Sequence, residues 1–112
     1  MDWGKVVYVF FTLMGLTTAA SFLYYNDPMY LYIATGVNLI STLLKVGVRN
    51  LLAAELMASS LVADLHLIPA FFTLMISQDL SVAIALTIGA AIANVVTVVL
   101  LLIESSRVKE DL

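Results

Sequence analysis

Apolar residues fill four long stretches of the chain, at about residues 5–25, 29–48, 51–76 and 81–103, with short polar breaks between them. Each stretch is close to the ~20 residues that a helix needs to cross the ~30 Å hydrocarbon core of a bilayer. The breaks carry local stop and start signals. Asn26-Asp27-Pro28 is a turn signal, and Pro28 can open the helix that follows. Gly47, Arg49 and Asn50 mark the second break. Ser77-Gln78-Asp79 marks the third, with Ser81 placed to cap the fourth helix. Connections of a few residues make consecutive helices antiparallel neighbours. The pattern therefore predicts an all-α, polytopic membrane protein with four transmembrane helices in one antiparallel bundle. Residues 1–112 then form a single transmembrane domain.

Polar positions inside these stretches are few, and helical geometry sorts them onto faces. The third stretch contains Glu55, Asp64 and His66, followed by Pro69. At about 100° per residue, Glu55, Ser59, His66 and Thr73 share one line, whereas Ser60 and Asp64 fall near the opposite side. Asp64 and His66 are therefore not a local pair. Counted from Leu51 at ~1.5 Å per residue, Glu55 lies about 6 Å and Asp64 about 20 Å along the helix. An Asp near the bilayer centre costs about 2.5–3.5 kcal/mol or more. Asp64 thus needs either hydrogen-bonded packing partners or a role in handling protons or cations. Glu55 is shallow and is expected to pair with Lys45 or Arg49 in a cytoplasmic charge cluster. His66 is either a neutral hydrogen-bonded residue or a protonatable relay. Pro69 has no N–H, so the carbonyl of Leu65 loses its helical partner.

The second stretch carries a polar stripe of Thr35, Asn38, Thr42, Lys45 and Arg49 at three- and four-residue spacing. Such a stripe faces protein or water rather than lipid. It reads as the lining of a narrow polar route, or as interhelical bonding worth only about 0.6 kcal/mol per contact. The stem of Lys45 is long enough to snorkel to the interface. In the fourth stretch, Asn94 and Thr97 stand among Gly89, Ala90 and Ala93.

Composition agrees with the pattern. Of 112 residues, 62% are hydrophobic and 12% charged, and the mean hydropathy is +1.07. Almost no chain is left for a soluble active site. The absence of cysteine excludes disulfides, thiolate metal sites and Cys nucleophiles. No basic patch points to nucleic acid. Lys5, Lys45, Arg49, Arg107 and Lys109 all fall on one side of a four-span topology, while Asp27 and Asp79 occupy the opposite loops. The positive-inside rule then places both termini in the cytoplasm. Lys5, the apolar run 6–16 and Thr18-Ala19-Ala20-Ser21 also resemble the regions of a cleaved signal. Continuation of the apolar run through Phe22-Leu23-Tyr24 favours an uncleaved span.

Two patterns recur. Phe10-Phe11-Thr12-Leu13-Met14 reappears as Phe71-Phe72-Thr73-Leu74-Met75, and Ala34 and Ala90 each precede an Asn, Asn38 and Asn94, by four residues. Together they suggest two duplicated hairpins, set against chance in a restricted apolar alphabet. Gly15-x-x-x-Ala19 and Gly89-x-x-x-Ala93 fit the close-packing small-residue motif, and are expected to pack the first and fourth helices within the subunit or across an oligomer. Tyr24, Tyr25, Tyr30 and Tyr32 at one end, and Trp3 at the other, read as interfacial anchors.

The run from Gly47 to Leu56, its continuation from Ala63 to Ala70, and the opening from Met1 to Phe10 resemble an uncharacterised family of small bacterial four-helix membrane proteins. The resemblance covers nearly the whole chain. It implies the fold and the membrane location, and brings no activity or functional residues. Small multidrug transporters agree in size and span count only. They carry their membrane carboxylate in the first helix, where this chain has none, and dual-topology members need a weaker charge bias.

The leading expectation is an oligomeric ion-transport or channel-like subunit, binding a cation or proton at Asp64 with His66, Asn38 and Asn94. Thr35, Thr42 and Ser60 would be secondary polar lining. The alternative is a structural or accessory subunit that assembles with a membrane or cytoplasmic partner protein. An enzyme is not expected: there is no HExxH, no Cys, and no Ser beside a local base. A single His argues against a metal centre. No cofactor is expected, and the expected partners are the lipid bilayer and further copies of the chain.

Overall fold

A computed structural model describes residues 3–46 and 52–110. Four helices follow one another: α1 (Trp3–Tyr25), α2 (Pro28–Lys45), α3 (Ala53–Phe72) and α4 (Leu80–Glu110). A π turn, Thr73–Ser77, continues α3 beyond Phe72, with Pro69 inside the helix before it. Gly47, Arg49 and Asn50 lie outside the described residues.

The two described turns use the same chemistry. In each, a polar residue takes left-handed backbone, Asn26 at φ 58° and Gln78 at φ 54°, and an Asp follows. Asp27 Oδ1 accepts the backbone N–H of Met29 at 3.0 Å, with Pro28 at the start of α2. Asp79 Oδ1 accepts the backbone N–H of Val82 at 3.2 Å. The cap of α4 is therefore Asp79 and not Ser81. The acceptor must lie just before the first free N–H groups of the helix, and Ser81 is already inside it.

Each helix packs on its sequence neighbours, and α1 also packs on α4, so the four close into a ring. Cross-helix contacts give the directions. Thr12 bonds Ser41 while Gly15 meets Asn38, Thr42 bonds Asp64 while Tyr32 packs on Phe71, and Ser59 bonds Thr97 while His66 meets Gly89. In every pair a rising residue number on one helix meets a falling one on the next, as in an antiparallel bundle. The bundle is 51 Å long.

Small residues let the helices approach. Ala19, Ala34, Ala63, Ala70, Ala83 and Ala90 are fully buried around Phe22, Leu31 and Leu67. A Cβ on Gly15 would overlap the Asn38 amide on α2, and one on Gly89 would lie 2.5 Å from the His66 ring on α3. The two small-residue motifs thus pack α1 on α2 and α4 on α3. They do not join the first and fourth helices, as the sequence reading expected, because the motif shows only that a close approach occurs.

Three helical segments are long and apolar enough to cross a membrane: Trp3–Tyr25, Ala53–Ser77 and Leu80–Ser106. The second expected span is shorter than the sequence pattern suggested. α2 ends at Lys45, has 18 residues, and buries Thr35, Asn38, Ser41, Thr42 and Lys45. The repeated pentapeptide is also out of register. Thr12 is buried mid-bundle, whereas Thr73 begins the π turn at the far end of α3. The correspondence of Asn38 with Asn94 fares better. Each lies three residues before a hydroxyl, Ser41 or Thr97, that bonds the preceding helix.

The glycines give a direct check on packing. Gly15→Ala should destabilise the bundle by about 1–3 kcal/mol, because Asn38 must leave its place. Gly36→Ala, with open space around the position, should not destabilise it. Unfolding of both variants in mild detergent, followed by circular dichroism, measures the difference.

Candidate functional site

The polar stripe of α2 turns inward and meets α1 on one side and α3 on the other. Lys45 is its last helical residue and is only 5% exposed. The C-terminal end of a helix favours a cation. The Nζ of Lys45 donates to Thr12 Oγ1 at 2.9 Å and to Ser41 Oγ at 2.5 Å, and lies 5.8 Å from the centre of the Tyr8 ring. That last distance is within cation–π range. Lys45 therefore does not snorkel outward. One turn of α2 and the facing turn of α1 supply enough oxygen and π-surface to hold its head inside.

Hydrogen counting fixes the direction of these bonds. Thr12 has one hydroxyl hydrogen, and it goes to the Tyr8 carbonyl at 2.8 Å. In the 2.9 Å contact between Thr12 and Ser41, Ser41 must then be the donor. Thr12 accepts from both Ser41 and Lys45, which fills its two lone pairs. The result is a one-way chain from Lys45 through Ser41 and Thr12 to the backbone of α1.

Asp64 projects from α3 toward α2 and is 5% exposed. Its Oδ2 is 2.5 Å from Thr42 Oγ1, and the same hydroxyl lies 3.0 Å from the Asn38 carbonyl. One hydroxyl hydrogen cannot serve both oxygens. If Asp64 is ionised, Thr42 must choose between them. If Asp64 carries a proton on Oδ2, it donates to Thr42 and Thr42 donates to Asn38 O. The protonation state of Asp64 thus sets the direction of a hydrogen bond on α2. Lys45 and Asp64 interact electrostatically across the α2–α3 interface, with no ion pair within 4 Å joining them among the described residues.

The other expected site residues lie elsewhere. His66 faces α4 and packs on Gly89, with Nδ1 2.8 Å from the Val62 carbonyl. A carbonyl only accepts, so Nδ1 carries the hydrogen. His66 takes no part in the Asp64 cluster. Asn38 gives its amide hydrogen to the Ala34 carbonyl at 2.8 Å and fills the notch at Gly15. Thr35 bonds its own helix at the Leu31 carbonyl. Ser60 is buried on α3, one turn before Asp64, and Asn94 is buried on α4. Glu55 is exposed beside a groove between α3 and α4, away from Lys45. Of the expected charge cluster, Lys45 turns inward and Glu55 is exposed, while Arg49 lies outside the described residues. No group of three His, Asp or Glu able to hold a metal ion occurs among the described residues.

Three contacts escaped the sequence reading. Thr12 and Ser41 complete the cage of Lys45. Ser41 lies three residues after Asn38 and four before Lys45, so the stripe could have included it. Ser59 and Thr97 share a buried bond of 2.7 Å between α3 and α4. Glu104, 3% exposed, pairs with Lys5 at 3.3 Å, and Lys5 also donates to Ser105 at 2.6 Å. Glu104 follows the apolar run directly, where an acid reads as an interfacial residue.

The electrostatic link predicts non-additivity. Lys45→Met and Asp64→Leu should each destabilise the fold, and the double variant should be less destabilised than the sum. A coupling of roughly 0.5–3 kcal/mol is expected for groups in one network. A double-mutant cycle by detergent unfolding measures it.

No curated protein and no solved structure matches the chain. A family model does match, that of a family of unknown function, DUF6394, over residues 25–105. The matched stretch runs from the end of α1 into the last part of α4 and contains Asn38, Thr42, Lys45, Asp64, His66 and Asn94. The chain belongs to this family of unknown function.

Proposed function

We propose that the protein is integral to a bacterial inner membrane, that all four helices cross it, and that both termini are cytoplasmic. The distribution of side chains supports this reading. Large apolar residues point outward, including Phe10, Leu13, Leu61, Leu65, Ile92 and Leu102, while Lys45, Asp64, Asn94 and Glu104 are buried. Water would reward the reverse arrangement. α2 fits despite its polar stripe, because the stripe is buried and Ile33, Leu39, Ile40, Leu43 and Leu44 face outward. Its 18 residues rise about 27 Å, near the core thickness. Lys5 and the end of α2 lie at one end of the bundle, and Asp27 and Asp79 at the other. The natural lack of cysteine makes the test clean. A single Cys replacing Asn26 or Gln78 should react with an impermeant maleimide in spheroplasts, and one replacing Ser106 only after lysis. The opposite pattern would reverse the topology.

Within that frame we infer an oligomeric transport subunit in which Asp64 handles protons. The observation that carries it is the buried Lys45 ammonium facing Asp64 across the α2–α3 interface. The neighbouring ammonium opposes protonation and metal binding alike, but a proton needs a single carboxyl oxygen whereas a metal ion needs several oxygen ligands. Intramembrane acids paired with hydroxyls and a base are a recurrent arrangement for proton relays. In proteoliposomes the wild type should carry a proton flux that Asp64→Asn abolishes and Glu55→Gln leaves intact. Wild-type flux no higher than that of empty vesicles would sink the transport reading. The accessory-subunit reading is favoured by a different fact: the bonds of Lys45, Thr12, Ser41 and Thr42 also tie α1, α2 and α3 together. It gains if Asp64→Asn weakens the assembly with a co-purifying partner and no flux is found.

A further inference from the structure

We propose that the interior of the bundle is a binding site for one water molecule, held between the Asp64 carboxyl and the Asn94 amide. Two buried side-chain atoms have no hydrogen-bond partner among the described residues: Asp64 Oδ1 and Asn94 Nδ2. One is an acceptor and the other a donor. Leaving each unsatisfied costs about 1–3 kcal/mol, and a buried water typically supplies 2–4 such bonds.

Register and facing place the two groups within about one helical turn of each other. The Ser59–Thr97 bond and the seat of His66 on Gly89 fix α3 against α4. Asp64 lies between Ser59 and His66, and Asn94 between Gly89 and Thr97. Asn94 is four residues from Ala90 and three from Thr97, both fully buried, so it shares their inward face. Asp64 sits at the α2 edge of the interior, with Oδ2 on Thr42 and Oδ1 unclaimed. Ala63 and Ala90, both buried nearby, contribute no polar atom that could satisfy either group.

Chemistry selects the ligand. The molecule must accept a hydrogen bond from Asn94 and be able to donate one to Asp64. Water does both. A bare metal cation accepts none and would meet the charge of Lys45. The bound water joins α4 to the Asp64–Thr42 contact and gives the carboxyl a proton-exchange partner on the side away from α2. The inference takes Asp64 as the centre of the site, as the proton reading does, but a static water satisfies it and no flux is required.

Solid-state NMR of the nitrogen-15-labelled protein in lipid vesicles tests it. Magnetisation should pass from a slowly exchanging water to the Asn94 side-chain nitrogen. The Asn38 nitrogen, engaged with the Ala34 carbonyl, should receive none. Asp64→Leu should abolish the Asn94 signal. If that variant does not fold, the wild-type spectrum decides alone. No transfer at Asn94, a direct Asp64–Asn94 contact, or displacement of the water signal by sodium ions would each overturn the assignment. Transfer at Asn94 with no proton flux would keep the water and discard the transport reading.

Discussion

The ammonium of Lys45 turns inward, and the packing of three helices gives it partners. It needs oxygen or π-surface on every side that would otherwise meet hydrocarbon. Ser41 lies one turn back on its own helix. Thr12 and Tyr8 come from α1, and Asp64 from α3 supplies the opposite charge at longer range. These residues set how α1 and α3 are rotated about α2. A helix turned by one residue would move its contributor by about 100° and leave a buried charge without partners.

The two hairpins solve a shared problem with different side chains. In each, a hydroxyl bonds across to the preceding helix, and a glycine admits a polar ring or amide from its neighbour. In the first hairpin the guest is Asn38 at Gly15, in the second His66 at Gly89. The second hairpin has no counterpart of Lys45, since Leu101 stands four residues after Thr97 as Lys45 stands four after Ser41. The acid of the bundle, Asp64, comes from that second hairpin and faces the first. The charged centre thus belongs to the contact between the hairpins.

Much was legible in the chain. Helix number, the two described turns and the orientation of the buried polar residues on their own helices follow from apolar run length and a 100° step. The separation of Asp64 from His66 is of that kind, since residues two positions apart on one helix cannot face alike. The inward set of the α2 stripe is another case. The cap of α4, the partners of the glycines and the cage of Lys45 were less legible. Ser81 and Asp79 are both good caps, and only the backbone of Gln78 selects between them. Glu104 reads as an interfacial acid until Lys5, 99 residues away in sequence, is seen beside it.

The sequence by itself determined an apolar, all-helical chain with four segments, and which face of each segment is polar. Local periodicity and hydropathy contain that information because they depend on residues a few positions apart. Tertiary structure alone decided which polar residues meet. It placed Lys45 with Thr12 and toward Asp64, left Glu55 outside, and sent His66 to Gly89. Those pairings depend on how four helices rotate and slide against one another. That is a property of the packed small-residue core as a whole, and no single stretch of the chain carries it.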